Sequence, residues 1–202
     1  MITIVNYGIG NLGSMLNMFR HIGVKATIES DPVIIQKAEK LVLPGVGSFD
    51  AAMNNINSIA GLRDVLDYKA LAERIPILGV CLGMQLLTRF SEEGKEPGLG
   101  WIPSRTCRFP KHTNLKVPHM GWNVALPNKP NLLTKQLSDN SRFYFVHSYY
   151  VKVDDPVHSI MRTHYDIDFD SAIEKDNIYG VQFHPEKSHK NGMQILKNFS
   201  LI

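Results

Sequence analysis

An apolar run that ends in a cysteine between two glycines constrains this chain more than any other feature. Residues 75–80 form the run, and Cys81 follows it. Gly79 and Gly83 lie two residues before and after the cysteine. Where a strand turns sharply into a helix, the residue at the bend is strained and its neighbours two positions away must be small. The pattern therefore predicts a nucleophile elbow, in which the positive dipole end of the following helix favours the Cys81 thiolate.

A second motif bears on whether this cysteine is a nucleophile, because a cysteine after an apolar strand is more often a small buried hydrophobic residue. Residues 178–183 have the pattern of an apolar strand, and His184, Pro185 and Glu186 follow. A catalytic thiol needs an imidazole that takes its proton and later protonates the leaving amine, and the imidazole needs an acceptor that fixes its tautomer. We therefore predict a catalytic triad of Cys81, His184 and Glu186.

Both motifs resemble those of the class I glutamine amidotransferases, whose triad is Cys-His-Glu. The resemblance is carried by Gly-Val-Cys-Leu-Gly-Met-Gln at residues 79–85 and Gln-Phe-His-Pro-Glu at residues 182–186. Four further segments are similar to one branch of this family, the glutaminase subunits of imidazole glycerol phosphate synthases: residues 6–12, 44–49, 117–123 and 144–149. The resemblance extends from residue 2 to residue 199, which is nearly the whole chain.

The resemblance implies an activity and a partner. Members of the family hydrolyse L-glutamine and pass the ammonia through an internal channel to a synthase subunit. In the branch that this chain resembles, the synthase subunit is a TIM-barrel cyclase, and the two subunits form a heterodimer. The implied function is therefore ammonia supply for imidazole glycerol phosphate formation in histidine biosynthesis. No cofactor and no metal ion are implied.

The sequence Pro-Gly-Val-Gly at residues 44–47 is a candidate for the oxyanion-binding part of such a site. It follows a predicted strand at the end where ligands bind in open parallel sheets, and it offers backbone N–H groups without bulky side chains. With Cys81 on the adjacent strand, we expect the N–H of Leu82 and one N–H of this segment, by resemblance chiefly that of Val46, to hold the oxyanion. Without the elbow, the same segment fits an ordinary turn between strand and helix.

Other residues receive roles from the resemblance, each beside a plainer interpretation. Gln85, one turn past the elbow, is expected to contact glutamine, although an exposed polar helix residue needs no such role. Lys187 is either a solvated lysine or an ion-pairing contact with the partner, and Trp122 and Tyr144 also fit core positions. The full set is Gly47, Gln85 and Ser148 for glutamine, and Asn11, Trp122, Tyr144 and Lys187 for the partner.

The order of the hydrophobic patterns predicts a three-layer α/β sandwich, formed by residues 1–202 as one domain. Helix and strand patterns alternate up to the elbow helix, as in a mostly parallel central sheet with a flavodoxin-like core. After the polar stretch 91–98, predicted as a surface loop, short strands predominate and predict a mixed or antiparallel extension. The detailed predictions include helices over 32–40 and 62–73, a strand over 142–153, and a last helix capped by Ser188.

Composition and charge limit the alternatives. A chain of 202 residues with 44% hydrophobic content can bury a substantial core. The net charge of +3 is small and scattered, with no basic run among aromatic residues, so nucleic acid is not an expected partner. Cys81 and Cys107 do not make a disulfide framework, and no apolar stretch approaches the length of a membrane span. We expect a cytoplasmic protein, since the chain opens with a strand pattern and not with a signal sequence.

Three other functions fit parts of the sequence. Gly8, Gly10 and Gly13 match G-x-G-x-x-G, and Glu29 ends the next strand, as in dinucleotide-binding oxidoreductases. That interpretation leaves the elbow and the His-Pro-Glu motif unexplained, and the glycines also fit a tight turn. Within the family, a paralogous glutaminase that feeds a cyclase-like partner in nucleotide-sugar amidination would carry the same triad. A catalytically silent binding module would keep the fold but would not need the triad.

Overall fold

The computed structural model describes residues 1–110 and 116–202. Its strands are β1 (Ile2–Val5), β2 (Ala26–Glu29), β3 (Lys40–Gly45), β4 (Ile77–Cys81), β5 (Ser104–Arg108), β6 (His119–Val124), β7 (Leu126–Pro127), β8 (Arg142–His147), β9 (Tyr149–Val153), β10 (Ser159–Tyr165), β11 (Ile167–Lys175) and β12 (Ile178–Val181). Its α-helices are α1 (Leu12–His21), α2 (Pro32–Ile35), α3 (Phe49–Ser58), α4 (Leu62–Asp67), α5 (Leu82–Leu86) and α6 (His189–Leu201). Within the described residues, no helix has the length and apolar character that crossing a membrane requires.

A run of parallel strands forms the core of the sheet. Their order is β2-β1-β3-β4-β12, which is the flavodoxin-like arrangement. The strands β1, β4 and β12 are buried at every position, as expected for a parallel sheet that is covered on both faces. Gly45 lies opposite Cys81, and Val80 lies opposite Val181. Residues that follow β3, β4 and β12 therefore meet at one edge of the sheet.

An antiparallel part continues the sheet beyond β12. The strands β11, β10 and β7 follow in that order, and β9 pairs with β11 and β5. A separate two-stranded antiparallel sheet is formed by β6 and β8. The predicted parallel core with an antiparallel extension is thus confirmed.

Helices cover both faces of the sheet. On one face, α1 and α6 pack together, and their Phe19 and Phe199 are fully buried in one apolar cluster. On the other face, Phe49 of α3 and Leu66 of α4 belong to a second buried cluster. Each helix buries one apolar stripe against the sheet, which is how a three-layer sandwich is formed.

Two predicted helices are shorter in the structure. The helix predicted over residues 32–40 ends at Ile35, because Lys40 already pairs with Ile2 in the sheet and the chain must be extended there. The helix predicted over residues 62–73 is α-helical to Asp67 and continues as a π-helical turn. Neither change moves the elements that carry the predicted triad.

Two other predictions differ from the structure in part. The strand predicted over residues 142–153 is two strands, since β8 pairs with β6 whereas β9 pairs with β5 and β11. The chain changes sheets at Ser148, which therefore lies in a break. Ser188 precedes α6 but does not cap it with its side chain. Its hydroxyl instead donates to the carbonyl of His184 at 2.6 Å and accepts the N–H of Tyr144 at 2.9 Å.

Candidate active site

Cys81 ends β4 in the strained conformation that the sequence predicts. Its φ and ψ are 55° and −109°, which non-glycine residues seldom adopt. A Cβ atom on Gly79 would lie 2.6 Å from the carbonyl oxygen of Gly83, and a Cβ atom on Gly83 would lie 1.7 Å from that of Leu43. Both flanking positions therefore exclude a larger residue. The elbow is confirmed, and α5 begins at the next residue.

His184 and Glu186 form a buried pair. The imidazole Nδ1 and the carboxylate Oε1 are 2.8 Å apart, and the two side chains are 2% and 4% exposed. A short 3-10 helix over Pro185–Lys187 turns the carboxylate back towards the imidazole. The N–H of His184 donates to the carbonyl of Tyr144 at 2.9 Å, which fixes the backbone as well. With Nδ1–H donated to the carboxylate, Nε2 is the nitrogen left for a reacting group.

The imidazole is coupled to the thiol. Burial alone lowers the pKa of His184, but its interactions with Cys81 and Glu186 outweigh burial and raise that pKa well above its ordinary value. A raised pKa favours the protonated form of the ring. Nε2 of His184 is buried and has no hydrogen-bond partner in the part of the chain that the structure describes. Catalytic hydrogen bonds of this kind commonly tighten only when the substrate binds.

Gln182 is a site residue to which the sequence analysis assigned no role. Its buried amide Nε2 donates to the Cys81 sulfur at 3.8 Å, and the sulfur also lies 3.9 Å from the carbonyl oxygen of Val146. An N–H donor at the sulfur stabilises the thiolate form. A signal for this residue was present, because Gln182 stands two positions before His184 and alternate residues of an extended segment share one face.

A cavity of about 300 Å³ opens beside the thiol. It is at the small end of ligand pockets, which suits a single amino acid. The predicted site residues in its lining are Val46, Gly47, Cys81, Leu82, Gln85 and Ser148. The remaining lining residues are Glu93, Pro118, Val146, His147 and Tyr149. The structure thus brings the predicted oxyanion and glutamine-binding residues to one cavity, together with the predicted nucleophile.

Gln85 is buried and not an exposed helix residue. Its amide Nε2 donates to the carbonyl of Tyr149 at 3.1 Å and to Oε1 of Gln182 at 3.2 Å. Both N–H donors of the side chain are therefore used within the protein. What Gln85 offers to a ligand in the cavity is its acceptor oxygen.

Glu93 lines the cavity, although the sequence predicted only a surface loop for its segment. Its Oε2 accepts the N–H of Phe49 at the start of α3 at 3.0 Å, and Asp50 of the same helix accepts further N–H groups of the loop. Burial raises the pKa of the Glu93 carboxyl group above its ordinary value. Among the described residues that line the cavity, Glu93 is the only one with a carboxylate. Nothing in the polar stretch distinguishes it from Glu92, so the sequence held no signal for it.

The predicted oxyanion segment lies at the rim of the cavity. Val46 is 44% exposed, and Gly47 has a φ of 113°, which favours glycine. Within the described residues, the N–H of Val46 has no backbone acceptor. This donor is therefore not engaged in the sheet, although β3 ends only one residue earlier.

Three of the four residues predicted at a partner interface lie together. The Lys187 ammonium is 5.7 Å from the centre of the Tyr144 ring, and the rings of Tyr144 and Trp122 are 6.1 Å apart in an edge-to-face arrangement. Trp122 is 40% exposed and Lys187 is exposed, so this group is a surface and not core. Asn11 has a different position at the start of α1, where its side chain accepts the N–H of Ser14.

His119 and His147, which lack the spacing of zinc ligands, form a hydrogen-bonded pair. Nδ1 of His119 and Nε2 of His147 are 3.0 Å apart, and both rings are buried against Phe145 and Phe169. Burial lowers the pKa of His119 to about 4 and that of His147 to about 3, so both are neutral at pH 7. Within residues 1–110 and 116–202, no group of three or more His, Cys, Asp or Glu side chains is arranged to hold a metal ion.

Two glycines of the dinucleotide-like fingerprint pack closely, Gly8 against α3 and Gly10 against the end of β3. A Cβ atom on Gly8 would lie 3.1 Å from the Asn55 amide, and one on Gly10 would lie 3.5 Å from the backbone of Pro44. Both glycines have a positive φ, as a tight turn requires. The turn therefore has a packing role beside the predicted oxyanion segment.

Comparisons with known proteins agree with this geometry. The family model "Glutamine amidotransferase class-I" matches residues 3–202. The chain is 54% identical to the "Imidazole glycerol phosphate synthase subunit HisH 2" of Methanococcus maripaludis, over 98% of both chains. It is 48% identical to the protein of the same name from Pseudomonas aeruginosa, again over 98% of both chains. A crystal structure of a glutamine amidotransferase shares the fold with a TM-score of 0.77 at 14% identity, over 98% of this chain and 97% of that one.

The matched residues include the elbow, the histidine-carboxylate pair and every residue that lines the cavity. Neither the family nor these relatives carry the name of a dinucleotide-binding oxidoreductase, so that interpretation is set aside. An identity near one half over nearly the full length of both chains is far above what a shared fold alone produces. The chain therefore belongs to the class-I glutamine amidotransferase family and, within it, to the HisH subunits of imidazole glycerol phosphate synthase.

Proposed function

We propose that this chain hydrolyses L-glutamine to glutamate and ammonia through Cys81, His184 and Glu186, and passes the ammonia to a TIM-barrel cyclase that forms imidazole glycerol phosphate. The observation that carries the proposal is the strained Cys81 at a small cavity, coupled to a histidine whose other nitrogen is held by a buried carboxylate. The names of the similar proteins support the synthase part of the proposal.

In the first half-reaction, the Cys81 thiolate attacks the side-chain amide carbon of glutamine and forms a C–S bond. The carbonyl oxygen becomes an oxyanion, to which the N–H groups of Leu82 and Val46 donate. The protonated His184 gives its proton to the amide nitrogen as the C–N bond breaks and ammonia leaves. Glu186 holds the ring through Nδ1 while Nε2 transfers the proton.

In the second half-reaction, the now neutral His184 takes a proton from water, and the hydroxide oxygen attacks the thioester carbon. The same two N–H groups stabilise the second oxyanion. The C–S bond then breaks, which returns the thiolate and the protonated imidazole. The new carboxylic acid ionises, and glutamate is released.

The carboxylate of Glu93 and Oε1 of Gln85 are acceptors for the ammonium group of the substrate on residues that line the cavity. An isolated charge in a cavity is costly unless a group of opposite charge is near it. Glu93 is therefore proposed to bind the amino-acid end of glutamine, with Ser148 and Gly47 nearby in the lining. This end of the substrate is remote from the amide that reacts.

Glu93→Gln is expected to raise the KM for glutamine by about tenfold to a hundredfold, because a hydrogen bond to a charged group contributes roughly 1.5–3 kcal/mol. The kcat should change much less. Steady-state glutamate formation by the complex with its synthase measures both constants. Glu92→Gln is the matched control, since Glu92 is exposed and outside the cavity lining. An unchanged KM in Glu93→Gln would contradict the assignment.

The surface of Trp122, Tyr144 and Lys187 is proposed to contact the cyclase. It exposes the aromatic side chain of Trp122 beside that of Tyr144, and aromatic residues are enriched at interfaces. Lys187 directly follows Glu186, so a partner bound there lies close to the point where ammonia leaves. Docking at this place keeps the ammonia from solvent, where it would be protonated.

Lys187→Glu is expected to weaken complex formation or ammonia transfer. Reversal of a desolvated interfacial charge costs several kcal/mol, whereas an exposed ion pair contributes about 1 kcal/mol or less. Titration of the chain with the cyclase, followed by glutamate and product formation, separates the two cases. Lys197→Glu makes the same charge change at an exposed position of α6 and is the control. If both variants titrate like the unchanged chain, Lys187 is only a solvated lysine.

A paralogous function in nucleotide-sugar amidination is the second candidate. Residues 188–193 border the proposed interface, because the ring of His189 lies 5.3 Å from the ring of Trp122. The purified chain is mixed with either type of cyclase and its acceptor, and glutamate is measured. Stimulation by the imidazole glycerol phosphate cyclase supports the main proposal, and stimulation only by the other supports the second. No glutamate with either cyclase would contradict the glutaminase function itself.

A reducing, cytoplasmic setting is part of the proposal. Cys81 and Cys107 are both free and buried. The reaction needs the Cys81 thiolate, which oxidation would remove. A compartment that keeps thiols reduced therefore suits this chemistry.

A further inference from the structure

The hydroxyl of Tyr7 bonds the last part of β3, just before the loop at residues 46–48. Tyr7 lies just beyond β1, is 1% exposed, and donates to the carbonyl of Pro44 at 2.5 Å. The pairing of β1 with β3 ends at Ile4 and Val42, so this bond extends the contact past the last backbone pair. Burial and the nearby Cys81 raise the pKa of Tyr7 above its ordinary value, so the hydroxyl stays protonated and acts as a donor.

The same hydroxyl packs against Gly45. A Cβ atom at this position would lie 2.9 Å from the Tyr7 oxygen and 2.9 Å from Cβ of Leu82. Gly45 is therefore held between Tyr7 and the residue that follows the nucleophile. Val46 is next in the chain, so this contact fixes, relative to Leu82, the point at which the loop that carries the Val46 N–H begins. The N–H groups of Val46 and Leu82 are the two proposed oxyanion donors.

The backbone of Tyr7 is held by α3, the helix that follows the loop at residues 46–48. Its carbonyl accepts a hydrogen bond from the Asn55 amide of α3 at 3.0 Å. Its ring belongs to the buried cluster that also contains Phe49 and Met53 of the same helix. The loop over residues 46–48 joins β3 to α3, so Tyr7 connects the element before the loop with the element after it.

We propose that Tyr7 is a positioning residue for glutamine hydrolysis, and that its hydroxyl fixes the Pro44 carbonyl and Gly45 so that the Val46 N–H can meet the oxyanion. This inference rests on the function proposed for the site. Tyr7 is not among the residues that line the cavity, so it acts through the loop and not by contact with glutamine. Loss of the Tyr7 hydroxyl should therefore lower kcat, which depends on the transition state, and leave KM unchanged.

The test is Tyr7→Phe in the complex with the synthase and its acceptor. The kcat for glutamine is expected to fall by about tenfold to a hundredfold, because loss of a whole oxyanion donor costs roughly a hundredfold to a thousandfold and this change only loosens one. The KM should not change. Alkylation of Cys81 by iodoacetamide, which forms no oxyanion, should keep its rate. Tyr179→Phe is the control, since it removes the hydroxyl of another buried tyrosine, on β12.

Three results would contradict the role of Tyr7 or the proposed function. If the complex without substitutions hydrolyses glutamine and Tyr7→Phe has the same kcat, only the role of Tyr7 is overturned. A parallel loss of turnover and of Cys81 alkylation would show general damage to the site and would also overturn it. If the unchanged complex does not hydrolyse glutamine, the proposed function fails and not only the inference about Tyr7.

Discussion

Cys81→Ala is expected to abolish glutamine-dependent synthesis by the complex and to leave ammonia-dependent synthesis intact. Alanine has no nucleophile, and removal of the nucleophile from a comparable triad lowers kcat by roughly 10⁶-fold. The substitution keeps Cβ and removes only the sulfur at the cavity wall, so the strained elbow carries the same backbone conformation. The cyclase itself needs ammonia and not the thiol, so added ammonium salt should bypass the defect.

The measurement compares glutamate release and cyclase product with glutamine or with an ammonium salt as nitrogen source. Cys107→Ala is the matched control, because Cys107 lies in β5 and burial raises its pKa, which makes it a poor nucleophile. A glutamine-mimicking diazo ketone should label Cys81 and leave Cys107 free. Loss of both activities in Cys81→Ala, or an adduct mainly on Cys107, would contradict the assignment.

The elbow and the His184–Glu186 pair were predictable because their constraints are local. The elbow at Cys81 can form only if Gly79 and Gly83 lack side chains, and all three residues lie within the segment 79–83. His184 and Glu186 are likewise separated by a single proline that opens a 3-10 turn. Short-range geometry of this kind leaves a pattern in the sequence. The parallel strand order was predictable for a similar reason, since alternating helix and strand patterns permit few topologies.

The rest of the site depends on contacts between distant parts of the chain. Glu93 reaches the cavity because it bonds the N–H of Phe49, on a helix far earlier in the sequence. Ser148 enters the cavity lining because the two halves of one apolar run pair with different sheets. Tyr7 meets Pro44 only because β1 and β3 are neighbours. Patterns along the sequence carry little information about which polar residue a distant backbone group will meet.

The isolated chain is expected to hydrolyse glutamine about a hundredfold to a thousandfold more slowly than the complex loaded with acceptor, which is the cost of one missing oxyanion donor. The Val46 N–H is not engaged by the sheet, and Gly45 and Gly47 on either side permit the peptide planes to rotate. Val46 itself is β-branched, which disfavours a positive φ and restricts the conformations of the loop. We therefore expect two orientations of the Val46 N–H, of which one can donate to the oxyanion.

Activation by the partner requires contacts that differ between these two orientations. Val46 and Gly47 are exposed at the cavity rim, where a docked cyclase can touch them, whereas Tyr7 fixes the chain just before them. The free part of the loop is thus the part that a partner can reach. Glutamate formation is measured for the isolated chain, for the complex, and for the complex with acceptor substrate. Full activity of the isolated chain would exclude this gating, because the competent orientation of the Val46 N–H would then be the resting one. The assignment of Cys81, His184 and Glu186 would remain.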